Sequence, residues 1–170
     1  MRSAVDNAGA NDDGGDNAEG VEGLGPTFDT SVTQATGVTT GGDASIALPG
    51  DRIAIRVFPW VPQGIALTVR LVDRAAISPP PAKPVGALVF QVEARDAAGG
   101  VLTVLPAEVN LSAHYTNQEA AGVSKNQVTL LWLDPTTSRW GPAPKVVTES
   151  AFNYVASSTT GLGTYCVCVP

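Results

Sequence analysis

Histidine and cysteine are nearly missing: the chain has one of the first, His114, and two of the second, Cys166 and Cys168. A zinc site takes about four ligands, so this stock cannot furnish one from His and Cys alone. There is no Gly-x-Ser-x-Gly elbow and no cluster of nucleophile with base. The expectation is a chain that is not an enzyme, with no catalytic residues and no cofactor.

Long apolar runs are absent too. No stretch of eighteen apolar residues occurs, so no span of a membrane is expected. Met1 and Arg2 lead into Ser, Asp, Asn and Gly instead of an apolar h-region, so the sequence as given shows no signal peptide. Either one was removed and Met1 came later, or export does not use that route.

Charge is scarce at 15% of residues, well below the usual quarter. It is also unevenly placed. The whole net charge of −6 lies in residues 1–29, where seven acids face Arg2 alone, and the remaining body balances 9 acids with 9 bases. A neutral body offers no footprint for phosphate backbones, which excludes nucleic acid as the expected partner.

What is present in quantity is Gly (18), Pro (13) and alternating β-branched residues, a composition of turns and strands. Residues 1–26, made of Gly, Asn, Asp, Glu and Ala, read as a disordered acidic tail. Within it Asp12, Asp13 and Asp16 resemble the oxygen-rich loops that hold calcium, but without the spacing or closing Glu of an EF-hand loop. Residues 27–170 read as one antiparallel β-sandwich of nine or ten strands, Ig-like or Greek-key in type.

The strongest strand signal is Val128–Pro142. Val128, Leu130 and Trp132 share one face, Thr129, Leu131 and Leu133 the other, and Asp134-Pro135 turns the chain so that Trp140 returns alongside. This two-tryptophan hairpin is expected at the centre of the domain. Ile53, Ile55 and Val57, then Ile65 to Leu71, then Leu88, Phe90 and Val92 alternate in the same way. Val109, Leu111, Ala113 and Tyr115 do so as well, which leaves His114 facing water. Residues 78–84, SPPPAKP, lack ladder donors and read as a surface connection. Ser157 to Gly161 reads as the last turn.

Three sets of residues carry functional alternatives. Residues 27–40 are an edge strand of their own sheet or a strand donated to a neighbour, with Phe28, Val32, Ala35 and Val38 as the side chains that would set its register. Trp60 and Tyr115 are candidate sugar-stacking rings, although a Trp in such a loop more often plugs the open end of a sandwich. Cys166 and Cys168, two apart on a strand, point the same way in a geometry poor for bonding each other. They are two small buried hydrophobes, or thiols that pair with another copy or help hold a metal.

The succession Leu48-Pro49-Gly50, Pro84-Val85-Gly86, Leu105-Pro106, Tyr115-Thr116, Ala121-Gly122-Val123, Leu130-x-Trp132-x-Asp134, Trp140-x-Pro142 and Leu162-Gly163-x-Tyr165 resembles the β-sandwich modules of bacterial secreted and surface proteins. It is distantly similar to the ZU-five domains of ankyrins and netrin receptors. The resemblance covers roughly residues 40–169 and implies an antiparallel sandwich with a structural or binding role and no catalytic residues. Cys166 and Cys168 depart from it.

The expected function is a non-enzymatic structural or surface protein, extracellular or at the cell surface. It would act by association with its own copies or other surface proteins, as in a filament or surface assembly built by strand donation. The alternatives are a carbohydrate-binding module, with polysaccharide as partner, and a virion coat or decoration protein.

Overall fold

The structure is a computed structural model that describes residues 27–81 and 83–170. The acidic tail and the calcium reading at Asp12, Asp13 and Asp16 lie outside the described residues.

Eleven antiparallel strands form two packed sheets, and the protein is an all-β sandwich. The six-stranded sheet runs in the order β1 (Gln34–Val38), β4 (Ala66–Leu71), β5 (Pro84–Arg95), β11 (Gly163–Cys168), β7 (Thr129–Asp134), β8 (Arg139–Pro142). The five-stranded sheet runs β2 (Ala44–Ala47), β3 (Ile53–Val57), β6 (Val104–His114), β10 (Tyr154–Gly161), β9 (Val146–Glu149). Period-two alternation decides which side chains meet between the sheets. Ile53, Ile55 and Val57 from β3, Leu88, Phe90 and Val92 from β5, and Val109, Leu111 and Ala113 from β6 are all buried in one core. The Phe90 and Tyr165 rings stack there at 5.6 Å.

Two sequence expectations need correction. The tryptophan hairpin is β7–β8, at one end of the six-stranded sheet, not at its centre. Val128 and Leu130 are buried and Trp132 is half-buried against the main core, whereas Leu131 and Trp140 pack outside it. Residues Ser157 to Gly161 are not a turn but the second half of β10, and the chain reverses at Leu162. Two of their hydroxyls meet backbone groups: Ser157 Oγ donates to the Pro144 carbonyl, and Thr159 Oγ1 accepts from Gly161 N at 2.8 Å. Pro106 lies inside β6 where the pairing with β10 skips, between Val104↔Gly161 and Val109↔Thr159. A bulge there removes the need for its missing N–H.

Ser78, Pro79 and Pro80 are exposed, as a surface connection implies, and the segment that leads into them covers part of the sheet. Val72 and Ile77 pack with Leu131 and Trp140 over Val89, Cys166 and Cys168 on the outer face of the six-stranded sheet. Trp140 Nε1 donates to the Pro79 carbonyl at 2.8 Å, which ties the hairpin to the connection. That is why β7 is covered on both faces, as its alternation implied.

Candidate functional site

The edges of the two sheets are where this sandwich differs from side to side. On one side lie β1, with sequence QATGV, and β2, with sequence ASIA, neither carrying a charge or a proline. On the other lie β8, which holds Arg139 and Pro142, and β9, which ends in Glu149 and follows Lys145. Charge and proline are the usual means by which an edge strand is kept from pairing with another chain. Within the strands themselves the β8/β9 side has both and the β1/β2 side has neither, although Asp43 directly precedes β2 as Lys145 precedes β9.

β1 pairs with β4 of its own sheet, with Gln34↔Arg70 through Val38↔Ala66 in register. Of the donor-strand residues, Ala35 packs against the core, and Val32 and Val38 stand 39% and 56% exposed. Phe28 lies before the strand, its ring 4.8 Å from the Arg52 guanidinium. Thr33 and Thr39 bond toward β4, through Thr33 O to Leu71 N and Thr39 N to Ile65 O. In an antiparallel ladder these directions alternate. The N–H and C=O groups of Gln34, Thr36 and Val38 therefore face away from β4, at the open edge.

The strand is lightly packed and firmly hinged. Its inward residues are only Ala35 and Gly37, and a Cβ at Gly37 would stand 2.6 Å from Ile46 Cγ1 of β2. Immediately after it, Thr39 is buried: its hydroxyl donates to the Pro62 carbonyl at 2.6 Å and accepts from Ile65 N at 2.9 Å. Sequence reasoning marked the segment but missed this pin, because a lone Thr among five others gives no pattern.

The sugar-stacking candidates separate. Tyr115 is fully buried, so it stacks on no ligand; it is the last inward residue of its alternating set, and burial raises its hydroxyl above the usual tyrosine range. Trp60, in contrast, is 62% exposed and plugs nothing. The turn in which Val61 N bonds Phe58 O sends Val61 inward as the buried residue and leaves Trp60 on the outer surface. Its indole stacks with Phe58 at 4.6 Å and donates from Nε1 to the Glu108 carbonyl at 3.2 Å.

Cys166 and Cys168 are buried, as the hydrophobic reading expected, but they are bonded to each other. Two residues of a regular strand lie about 6.6 Å apart. Here the Cα atoms are 5.7 Å apart, within disulfide reach. β11 keeps regular register with β7 across the pair, while on its other side β5 carries extra residues between Cys166↔Val89 and Cys168↔Pro84.

His114 lies on the outer face of β6 and donates from Nδ1 to the Asp51 carbonyl at 2.9 Å. Among the described residues no three His, Cys, Asp or Glu side chains gather as a metal site requires. No helix among the described residues is long and apolar enough to cross a membrane.

Two hollows of about 380 and 430 Å³ open at the end of the sandwich where Trp132 sits, with Thr103 and Pro135 as a shared wall. Trp132 Nε1 is already committed to the Leu162 carbonyl at 3.1 Å. Compared with known proteins, the chain matches no family description, no curated protein and no solved structure, so nothing bears on the ZU-five-like resemblance.

Proposed function

We propose that this chain is a non-catalytic β-sandwich module that works by associating with a second copy of itself through its β1/β2 side. The observation that carries this reading is the pair of uncharged edge strands, one from each sheet, lying next to each other. A two-fold axis perpendicular to both sheets, placed against that side, continues each sheet into the neighbour in antiparallel fashion. The neutral body adds no repulsion of its own to such a contact, which is opposed only by the −6 carried in residues 1–29. The Cys166–Cys168 bond supports an oxidising compartment, hence a surface or extracellular setting in keeping with the ZU-five-like likeness.

Strand donation is the second reading, favoured by the small inward side chains of β1 and the pinned hinge at Thr39. The two modes differ in what Thr36 contributes. Thr36→Pro removes one outward N–H and leaves the backbone bonds to β4 intact, losing only the exposed hydroxyl contact between Thr36 and Thr68. Edge pairing predicts that sedimentation equilibrium finds the variant monomeric where the parent chain associates. Donation predicts unchanged association, and a parent chain monomeric at every concentration contradicts both.

A further inference from the structure

The outer face of the five-stranded sheet carries a second surface, distinct from the β1/β2 edge. Arg56, Phe58 and Trp60 follow one another at alternate positions: the Arg56 guanidinium is 5.5 Å from the Phe58 ring centre, and Phe58 stacks with Trp60 at an interplanar angle of 13°. The indole is thus held by one stacked neighbour and one hydrogen bond to Glu108 O, yet remains mostly exposed. A large flat ring fixed in water without a cover is preorganised to stack on something flat.

What lies beside it is polar. Glu108 pairs with Lys145 at 2.5 Å, and Lys145 lines a hollow of about 200 Å³ together with Asn110, Val147, Tyr154 and Ser158. Asn110 stands in register with Arg56, and its Oδ1 is buried without a hydrogen-bond partner. A buried acceptor without a donor costs free energy, and a turn of the Asn110 amide towards the hollow to meet a ligand hydroxyl would offset it. Trp60, Glu108, Lys145 and the hollow are joined in sequence by the contacts just given. They form a row of one apolar plane followed by hydrogen-bonding groups.

That alternation fits a sugar chain, whose rings present an apolar C–H face and an equatorial rim of hydroxyls. It fits a protein partner less well, because Trp60, Phe58 and Val147 are interspersed with Arg56, Glu108, Lys145 and Asn110 and make no continuous apolar centre. We infer that this face binds a saccharide, with a ring stacked on Trp60 and the next unit's hydroxyls bonded at Asn110 and Lys145. This goes beyond the association proposed above, and the two fail separately because Thr36→Pro leaves this face untouched.

Affinity electrophoresis of the full chain in gels holding hydroxyethyl cellulose or polygalacturonate tests the inference. Retardation by the first marks a neutral ligand, and by the second an acidic one read by Arg56 and Lys145. In either gel Trp60→Ala is expected to weaken binding by about tenfold or more, Trp60→Phe to retain part of it, and Trp140→Phe to leave it unchanged. Mobility unaffected by both polysaccharides overturns the inference. So does retardation that survives Trp60→Ala, or a Trp60→Ala variant whose only change is in its own oligomeric state.

Discussion

Ile46 of β2 occupies the space that a side chain at Gly37 of β1 would need, its Cγ1 2.6 Å from where the Cβ would stand. The two edge strands are therefore fitted to one another across the sandwich, one supplying a gap and the other filling it. Gly37→Val is expected to push β1 off β4 and cost about 1–3 kcal/mol, the usual range for overpacking. Hydrogen exchange should show protection lost in β1 and the adjoining edge of β4, and kept in β5 and β11. Uniform loss across the domain would mean that β1 is an integral core strand, and no loss at all that the contact is loose.

Arg52 and Glu119 form an ion pair that is largely out of water. Glu119 also accepts from Thr116 N at 2.8 Å, while Thr116 Oγ1 accepts from Glu119 N at 3.0 Å, a reciprocal arrangement that fixes the loop after β6. Glu119→Ala strands a buried guanidinium and is expected to lower stability by about 3 kcal/mol, read from urea unfolding. The double variant Arg52→Met/Glu119→Leu should recover most of it.

Tyr165 is buried, with its hydroxyl donating to the Gly161 carbonyl at 2.8 Å, and desolvation pushes its pKa up from 10.0 to about 12. The unfolded chain releases this proton near pH 10 and the folded one only near pH 12. The corresponding stability is whole below pH 10 and is lost as pH rises from 10 towards 12. Ultraviolet titration should show at least one tyrosine that ionises only near or above pH 12, and Tyr165→Phe should flatten the fall in melting temperature above pH 10.

The Cys166–Cys168 bond closes a very short loop beneath Trp140 and the Ser78–Pro84 connection. By chain entropy so short a loop contributes under about 2 kcal/mol. Mass spectrometry after alkylation should find no label in the native protein with mild reductant and two labels once it is unfolded. Two labels under native conditions would show that the covering segment opens readily.

Much of the fold was legible because alternation at Ile53–Val57, Leu88–Val92 and Val109–Ala113 reports burial directly. The errors came where local chemistry and sheet context disagree. Ser157–Gly161 has the composition of a turn, yet the Ser157 and Thr159 hydroxyls bond to backbone groups and the segment runs inside an interior strand. Strand periodicity put both cysteines on one face but does not report how near two alternate residues come, and here their Cα atoms stand 5.7 Å apart, within disulfide reach. Trp60 and Tyr115 looked alike as stacking rings, and only the turn at Phe58–Val61 and the alternation ending at Tyr115 distinguish the exposed one from the buried one. Edge position is a property of sheet order, so the contrast between β1/β2 and β8/β9 emerges only after the strands are arranged.

The central claim is that the free backbone groups of β1 are an association surface. Amide hydrogen exchange followed across a concentration series tests it most directly, residue by residue. Protection that grows with concentration at Thr36 and Val38, with β8 and β9 unchanged, is the expected result. Amides at Thr36 and Val38 that exchange at the same rate in dilute and concentrated solution would contradict it.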